Sequence, residues 1–163
     1  MAGTRTIPLA NSPLTVIIDA DLCERLLAMT WRAQRSREGS DAYASTTIER
    51  RVFRMHRLIV GAAPSQIVDH INGNTLDNRR VNLRFVTMQQ SNWNTGPRRG
   101  NRYKGVSWDR SRNRWAAYIT VDGRRRNLGR YLSAEEAAHV YDAAARLFHG
   151  EYARPNFAES RAA

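Results

Sequence analysis

The spacing of apolar residues changes period several times along the chain, and each change predicts an element. Leu14, Val16 and Ile18 alternate with other residues, which predicts a strand. Leu22, Leu26 and Met29 follow at helical spacing, with Asp19 or Asp21 in place to cap the helix. Trp31 opens an extended segment, Glu38-Gly39-Ser40-Asp41 reads as a turn, and residues 42–47 and 52–60 read as strands. After a loop at 61–65, the apolar pair Ile67-Val68 runs into Asp69-His70 and a polar loop rich in Asn, and Leu83 to Val86 returns as a second strand. Thr87-Met88-Gln89-Gln90 has the form of a capping box and predicts a helix start.

A second unit is predicted beyond residue 101. Tyr103 to Trp108 reads as a strand, followed by Arg114 to Val121, Asp122-Gly123 as a two-residue hairpin turn, and Arg124 to Arg130 as the return strand. Trp115, Ala117, Ile119 and Val121 face one way; Arg114, Tyr118 and Thr120 face the other. Ser133-Ala134-Glu135-Glu136 is another capping box. It opens a helix with Ala137, Val140, Tyr141, Ala144, Leu147 and Phe148 on one stripe and Gly150 at its end. The whole predicts an α+β chain: an α+β lead-in and a strand–loop–strand–helix unit, then a three-stranded antiparallel sheet packed by one face on a helix. The expected domains are 1–95, with its core at 54–95, and 102–157, joined by a linker at 96–101 and followed by a tail at 158–163.

Charge adds a partner to this picture. The 163 residues carry a net charge of +11, with a pI near 11.1, which points to a polyanion. The charge is concentrated: from Arg98 to Leu132 there are eleven Lys or Arg against two Asp. Arg124-Arg125-Arg126 at the start of one strand repel each other unless an anion is near. No apolar run is long enough to span a membrane, and the N-terminus lacks the apolar core of a signal peptide. The single Cys23 gives neither an internal disulfide nor a Cys-rich zinc site, and its helical setting suits a core thiol.

The chemistry gathers at Val68-Asp69-His70-Ile71-Asn72-Gly73-Asn74, with Asn82-Leu83-Arg84 and Ser91-Asn92-Trp93-Asn94. A carboxylate and an amide oxygen suit a hard divalent cation, and an imidazole beside them can take a proton from water. These residues resemble the HNH motif of phage and intron homing endonucleases, which is built on a ββα-metal fold. Asn82 stands twelve residues after His70, as that family requires. The resemblance implies that His70 is the general base, Asp69 a metal ligand and Asn82 the residue that pins the loop. The last ligand comes from the helix after the second strand, nine residues past the middle Asn. That position is Ser91, with Asn92 beside it. Neighbouring helical residues point about 100° apart, so Ser91, Asn92 or a water completes the site. Arg79, Arg80 and Arg84 flank the motif and could hold phosphates. Met55-His56-Arg57-Leu58-Ile59 matches an upstream segment of the same family. His56 is read as a core histidine, with phosphate contact or orientation of the site as the other reading.

The second unit resembles the plant APETALA2 and ethylene-response-factor DNA-binding domain. The resemblance rests on Tyr103-Lys104-Gly105-Val106, Trp115-Ala116-Ala117, Asn127-Leu128-Gly129-Arg130-Tyr131, Tyr141-Asp142-Ala143-Ala144 and Asn156-Phe157. That family lays its sheet in the major groove. Carried over by position, Lys104, Ser107, Arg114, Tyr118, Thr120, Arg125 and Asn127 are the DNA-facing residues.

Together the two resemblances imply a homing-type DNA endonuclease. It depends on a divalent metal, Mg²⁺ or else Mn²⁺ but not zinc, and recognises double-stranded DNA. It nicks one strand per monomer and acts as a monomer or weak dimer, without a membrane, in the cytoplasm of a bacterial or phage-infected cell. A DNA-binding regulator with a decayed nuclease site is the alternative that Ser91 leaves open. An RNA-binding protein is a third.

Overall fold

The structure is a computed structural model, and it describes residues 3–35, 42–98 and 100–157. The chain is α+β and divides into two compact units, one ending at Met88 and the other beginning at Gln89. Among the described residues no helix is long and apolar enough to cross a membrane. The turn expected at 38–41 and the tail expected at 158–163 lie outside the described residues.

In the first unit, strands β1 (Thr4–Pro8) and β2 (Thr15–Asp19) pair antiparallel, a short 3-10 turn follows, and α1 (Cys23–Leu27) packs beneath them. Strands β3 (Arg32–Arg35), β4 (Ala42–Ile48) and β5 (Arg51–Arg54) form a sheet in that order. Then come α2 (Met55–Ile59), β6 (Ile67–His70) and β7 (Leu83–Val86). The core is Ile7, Leu9, Val16, Ile18, Leu22, Leu26, Trp31, Ala44 and Met55. Trp31 is buried whole because its indole N–H donates to the Leu26 carbonyl at 2.8 Å, so no polar group is stranded.

Four expectations are corrected here, besides the strand read from Tyr103, which begins at Val106. Residues 52–60 are not one strand: β5 stops at Arg54 and 55–59 coil into α2. Met55 and His56 are both buried, and consecutive strand residues face opposite sides, whereas a helical turn can take both inward. Leu14 precedes β2 and is exposed, so the inward face is Val16 and Ile18 alone. Asp19 does not cap through its side chain; Oδ2 accepts the Arg80 backbone N–H at 2.9 Å. The fourth concerns the long helix of the second unit.

That unit opens with α3 (Met88–Trp93), whose first residue belongs to the unit before. Strands β8 (Val106–Asp109), β9 (Arg114–Val121) and β10 (Arg124–Tyr131) form an antiparallel sheet in the order β10-β9-β8, packed on α4 (Ala134–His149). Asp122 and Gly123, both at positive φ, make the predicted hairpin turn. Ser133 accepts the Glu136 N–H while the Glu136 carboxylate accepts the Ser133 N–H, the predicted capping box.

The buried stripe of α4 is the predicted one only in part: Ala137 and Tyr141 are buried as expected, and Val140 and Ala144 are half-buried. Leu147 and Phe148 are exposed, and Ala137, Ala138, Tyr141, Asp142, Ala145 and His149 face inward. Alanines allow close contact between helix and sheet. Asp142 is buried because its carboxylate accepts the backbone N–H groups of Asn156 and Phe157. Gly105 is required twice over: its φ is +74°, and a Cβ there would lie 2.0 Å from the Tyr141 ring.

Candidate active site and nucleic-acid interface

The motif hairpin is built by strand register. Asp69 pairs with Arg84 and His70 with Leu83, so the Asp-His dipeptide ends one strand as Asn82 enters the other. The loop between them is closed by Asn82, which is 6% exposed. Its Oδ1 accepts the Asn72 N–H at 2.9 Å and its Nδ2 donates to the Asp77 carbonyl at 2.7 Å. Its carbonyl accepts the Ile71 N–H at 2.9 Å. One side chain thus fixes both arms of the loop beside His70.

Asp77 is a second anchor that sequence reasoning missed. Its carboxylate accepts Nε and Nη2 of Arg79 at 2.7 and 2.6 Å and the Asn72 amide at 2.9 Å. The Arg79 bond outweighs burial and holds this carboxyl below its usual range. Residues 76–78 also zip onto β2: the Ile17 N–H donates to the Leu76 carbonyl, and the Asn78 N–H to the Ile17 carbonyl. The signal was local, an Asp two residues before an Arg in an Asn-rich loop, but its partner strand is about sixty residues away in the chain.

His70 is 4% exposed, with the His56 ring edge-on at 4.9 Å and the Tyr43 ring at 6.1 Å. Burial lowers the His70 pKa, while Asn78 and the carboxylates of Asp69 and Asp77 work in the opposite direction. His56, equally buried, is lowered to about 3, first by burial and then by the charges of His70, Arg54 and Arg57. It lies against His70, in the core position expected of it and beside the site as well. Tyr43 was missed; nothing in its local sequence points to the site.

All three flanking arginines have carboxylate partners. Arg79 holds Asp77, and Arg80 reaches Asp21 at 2.8 Å. Arg84 donates through Nε and Nη2 to Asp69 Oδ2 at 3.2 and 3.1 Å, with both side chains largely shielded from solvent. Among the described residues no three His, Cys, Asp or Glu side chains converge as a metal cluster. One carboxylate, Asp69, is the kind of oxygen donor that a hard divalent cation accepts beside water and phosphate oxygens.

Ser91 and Asn92 lie on α3, Ser91 half-buried and Asn92 exposed. The Asn92 carbonyl accepts the Thr95 hydroxyl at 2.8 Å. Six of the seven proposed DNA-facing residues share one sheet face. Pairing aligns Ser107 with Ala116, Arg114 with Asp109, Tyr118 with Asn127, and Thr120 with Arg125. Strand alternation then puts all six opposite Ala117, Ile119 and Val121, which pack on α4. The Arg125 guanidinium lies 3.7 Å from the Tyr118 ring centroid. Arg126 is on the other face, over Phe148. Lys104 is not part of this array: its ammonium donates to the carbonyls of Trp93 and Thr95.

Comparison with known proteins matches these two regions separately. Residues 50–92 match the family described as HNH endonuclease, and residues 101–151 match the AP2 domain. Protein 3.8 of Escherichia phage T7 is 33% identical over 89 residues, covering 53% of this chain and 73% of that protein. An uncharacterized HNH endonuclease of Acanthamoeba polyphaga mimivirus is 36% identical over 110 residues, covering 64% of this chain and 57% of that protein. Dehydration-responsive element-binding protein 2A of Oryza sativa is 46% identical over 68 residues, 40% of this chain and 24% of that protein. No solved structure matches. The chain belongs to the HNH endonuclease family and carries an AP2 domain after its HNH segment.

Proposed function

We propose that this protein is a metal-dependent, sequence-recognising DNA endonuclease of the homing type that nicks one strand per monomer, with the AP2 sheet face reading duplex DNA. The observation that carries the reading is the Asp69-His70 pair at a strand end, beside a loop locked by Asn82. In this reading His70 is the general base. Burial keeps its imidazole neutral at physiological pH, the form that can accept a proton from water. Asn82 fixes the loop so that the imidazole keeps its aim. Asp69, with Asn92 or Ser91, would hold a Mg²⁺ ion, or Mn²⁺ in its place. When bound, such an ion stabilises charge on the scissile phosphate and leaving oxygen.

The sheet residues Ser107, Arg114, Tyr118, Thr120, Arg125 and Asn127 would meet the bases and phosphates of one groove. Arg79, Arg80 and Arg84 would meet phosphate with carboxylates already beside them offsetting part of their charge. The setting proposed is the cytoplasm of an infected cell, in keeping with the phage relative, with the protein acting as a monomer or weak dimer.

The second reading is a DNA-binding regulator with a decayed nuclease site. Ser91 at the family's Asn position favours it. Plasmid nicking with and without Mg²⁺, by wild type and His70→Ala, separates the two. The nuclease reading expects Mg²⁺-dependent nicking that His70→Ala abolishes while DNA binding persists. No nicking by the wild type, with tight DNA binding, selects the regulator.

A further inference from the structure

The end of α3 is built into the AP2 unit. Lys104 comes from the approach to β8, and its half-buried ammonium donates to the carbonyls of Trp93 and Thr95 and reaches that of Asn92 at 3.5 Å. These are carbonyls at a helix C-terminus, which lack intrahelical partners and carry the negative end of the dipole. The Trp93 ring stacks on the His149 ring, with centroids 4.5 Å apart and planes 9° from parallel. His149 is itself fixed, its Nε2 lying 3.0 Å from the Thr120 carbonyl. Arg154 adds a bond to the Asn94 carbonyl at 3.3 Å. Lys104 cannot drift, because its backbone N–H and carbonyl are both bonded to the Asn156 side chain.

This geometry has a functional direction. A lysine on a solvated sheet face gains by meeting phosphate. Lys104 instead spends its donors on three carbonyls at and just past the end of the helix that bears Ser91 and Asn92, those of Asn92, Trp93 and Thr95. We propose that Lys104, together with the Trp93–His149 stack, is a positioning clasp through which the AP2 unit holds the helix that supplies the nuclease's last metal ligand. This rests on the reading that α3 supplies that ligand. Lys104 is thereby moved from the DNA-contacting set to the support of the cleavage site.

The test uses the full-length chain as wild type, Lys104→Met, Lys104→Arg and Trp93→Ala. Four quantities are read: amide hydrogen exchange of residues 91–97, Mn²⁺ binding by electron paramagnetic resonance, duplex DNA affinity, and its salt dependence. Lys104→Met and Trp93→Ala are expected to speed exchange at 91–97 and to weaken Mn²⁺ binding about tenfold, the usual loss when the support of a ligand is removed. DNA affinity and its salt slope should stay at the wild-type value, and Lys104→Arg should recover most of the Mn²⁺ binding. The proposal is overturned if Lys104→Met leaves exchange and Mn²⁺ binding unchanged. It is equally overturned if that variant lowers the salt slope by about 0.9, the signature of one lost phosphate contact. Faster exchange with unchanged Mn²⁺ binding leaves a purely structural cap and also overturns it. A wild type that binds no Mn²⁺ removes the metal-site reading and the positioning role with it. The exchange data then show separately whether the clasp holds the helix.

Discussion

His56 and His70 stand edge to face with ring centroids 4.9 Å apart, each only 4% exposed. Two imidazolium ions would repel each other at that distance, and burial favours the neutral form of both rings. The physical cause is chiefly burial, with Arg54, Arg57 and the opposite imidazole adding to it at His56.

This pair makes the first unit acid-sensitive. The His56 pKa is about 3 when folded, against 6.5 in the unfolded chain. The unfolded state therefore binds more protons between those values, and the stability held by neutral His56 is complete above pH 6.5 and drains away as pH falls toward 3. His70, shifted in the same direction, adds to the loss. Between pH 7.5 and 4.5 the His56 contribution is on the order of 2 kcal/mol. His56→Phe keeps a ring against His70 but cannot titrate, so it should lose less stability over that interval. Urea unfolding at the two pH values, followed by the indole NMR signal of Trp31, measures this. An unchanged pH dependence in the variant would show that another group governs acid lability.

Asn82→Ala removes the side chain that closes the motif loop. The Asn72 N–H and the Asp77 carbonyl lose their partners, at a cost of about 1–3 kcal/mol. The same Trp31 signal reports that cost. Nicking should fall by more than the lost stability accounts for, because His70 is no longer held in place. Wild-type nicking by a folded Asn82→Ala would remove the loop from the mechanism.

The sheet face can be tested residue by residue. Arg125→Ala should weaken duplex binding and reduce the slope of log affinity against log salt by about 0.9. Arg79→Ala should change that slope less, because Arg79 is held bidentate by Asp77. Equal slope changes in the two variants would mean that the motif loop meets phosphate as directly as the sheet does.

The choice between Asn92 and Ser91 is decided by metal titration. Asn92 offers a carbonyl oxygen, and a Mg²⁺ site with one carboxylate can use a neutral ligand. Asn92→Ala should raise the Mg²⁺ concentration needed for nicking, Ser91→Ala should do so less, and Ser91→Asn should lower it. If Ser91→Ala is the damaging change and Asn92→Ala is silent, the hydroxyl is the ligand. If only Ser91→Asn cuts at all, the natural chain is the regulator.

What could be read in advance was what depends on neighbours in the chain. The Asp69-His70 strand end, the return at Leu83, the Asp122-Gly123 turn and the Ser133 capping box are all set within a few residues. Features that depend on distant partners were hidden. Asp77 owes its burial to β2, and Tyr43 comes beside His70 only through the fold. Met55 and His56 coil because the core takes both, a demand invisible in a short run of strand formers. The strand pattern put Lys104 inside a strand that begins only at Val106, and its bonds to Trp93 and Thr95 depend on tertiary packing.

The mutual bonds between Lys104 and Asn156 have a consequence for how such a chain can be assembled over evolutionary time. They tie the start of the AP2 fold to its finish, with Asp142 holding the finish in turn. A fold whose two ends are fastened to each other behaves as a cassette: it can be appended to an unrelated catalytic unit without help from its new neighbour to close. Here the fastening residue has a side chain to spare, and it grips the helix next door. Trading this cassette for another that lacks the lysine would take those bonds from the helix end.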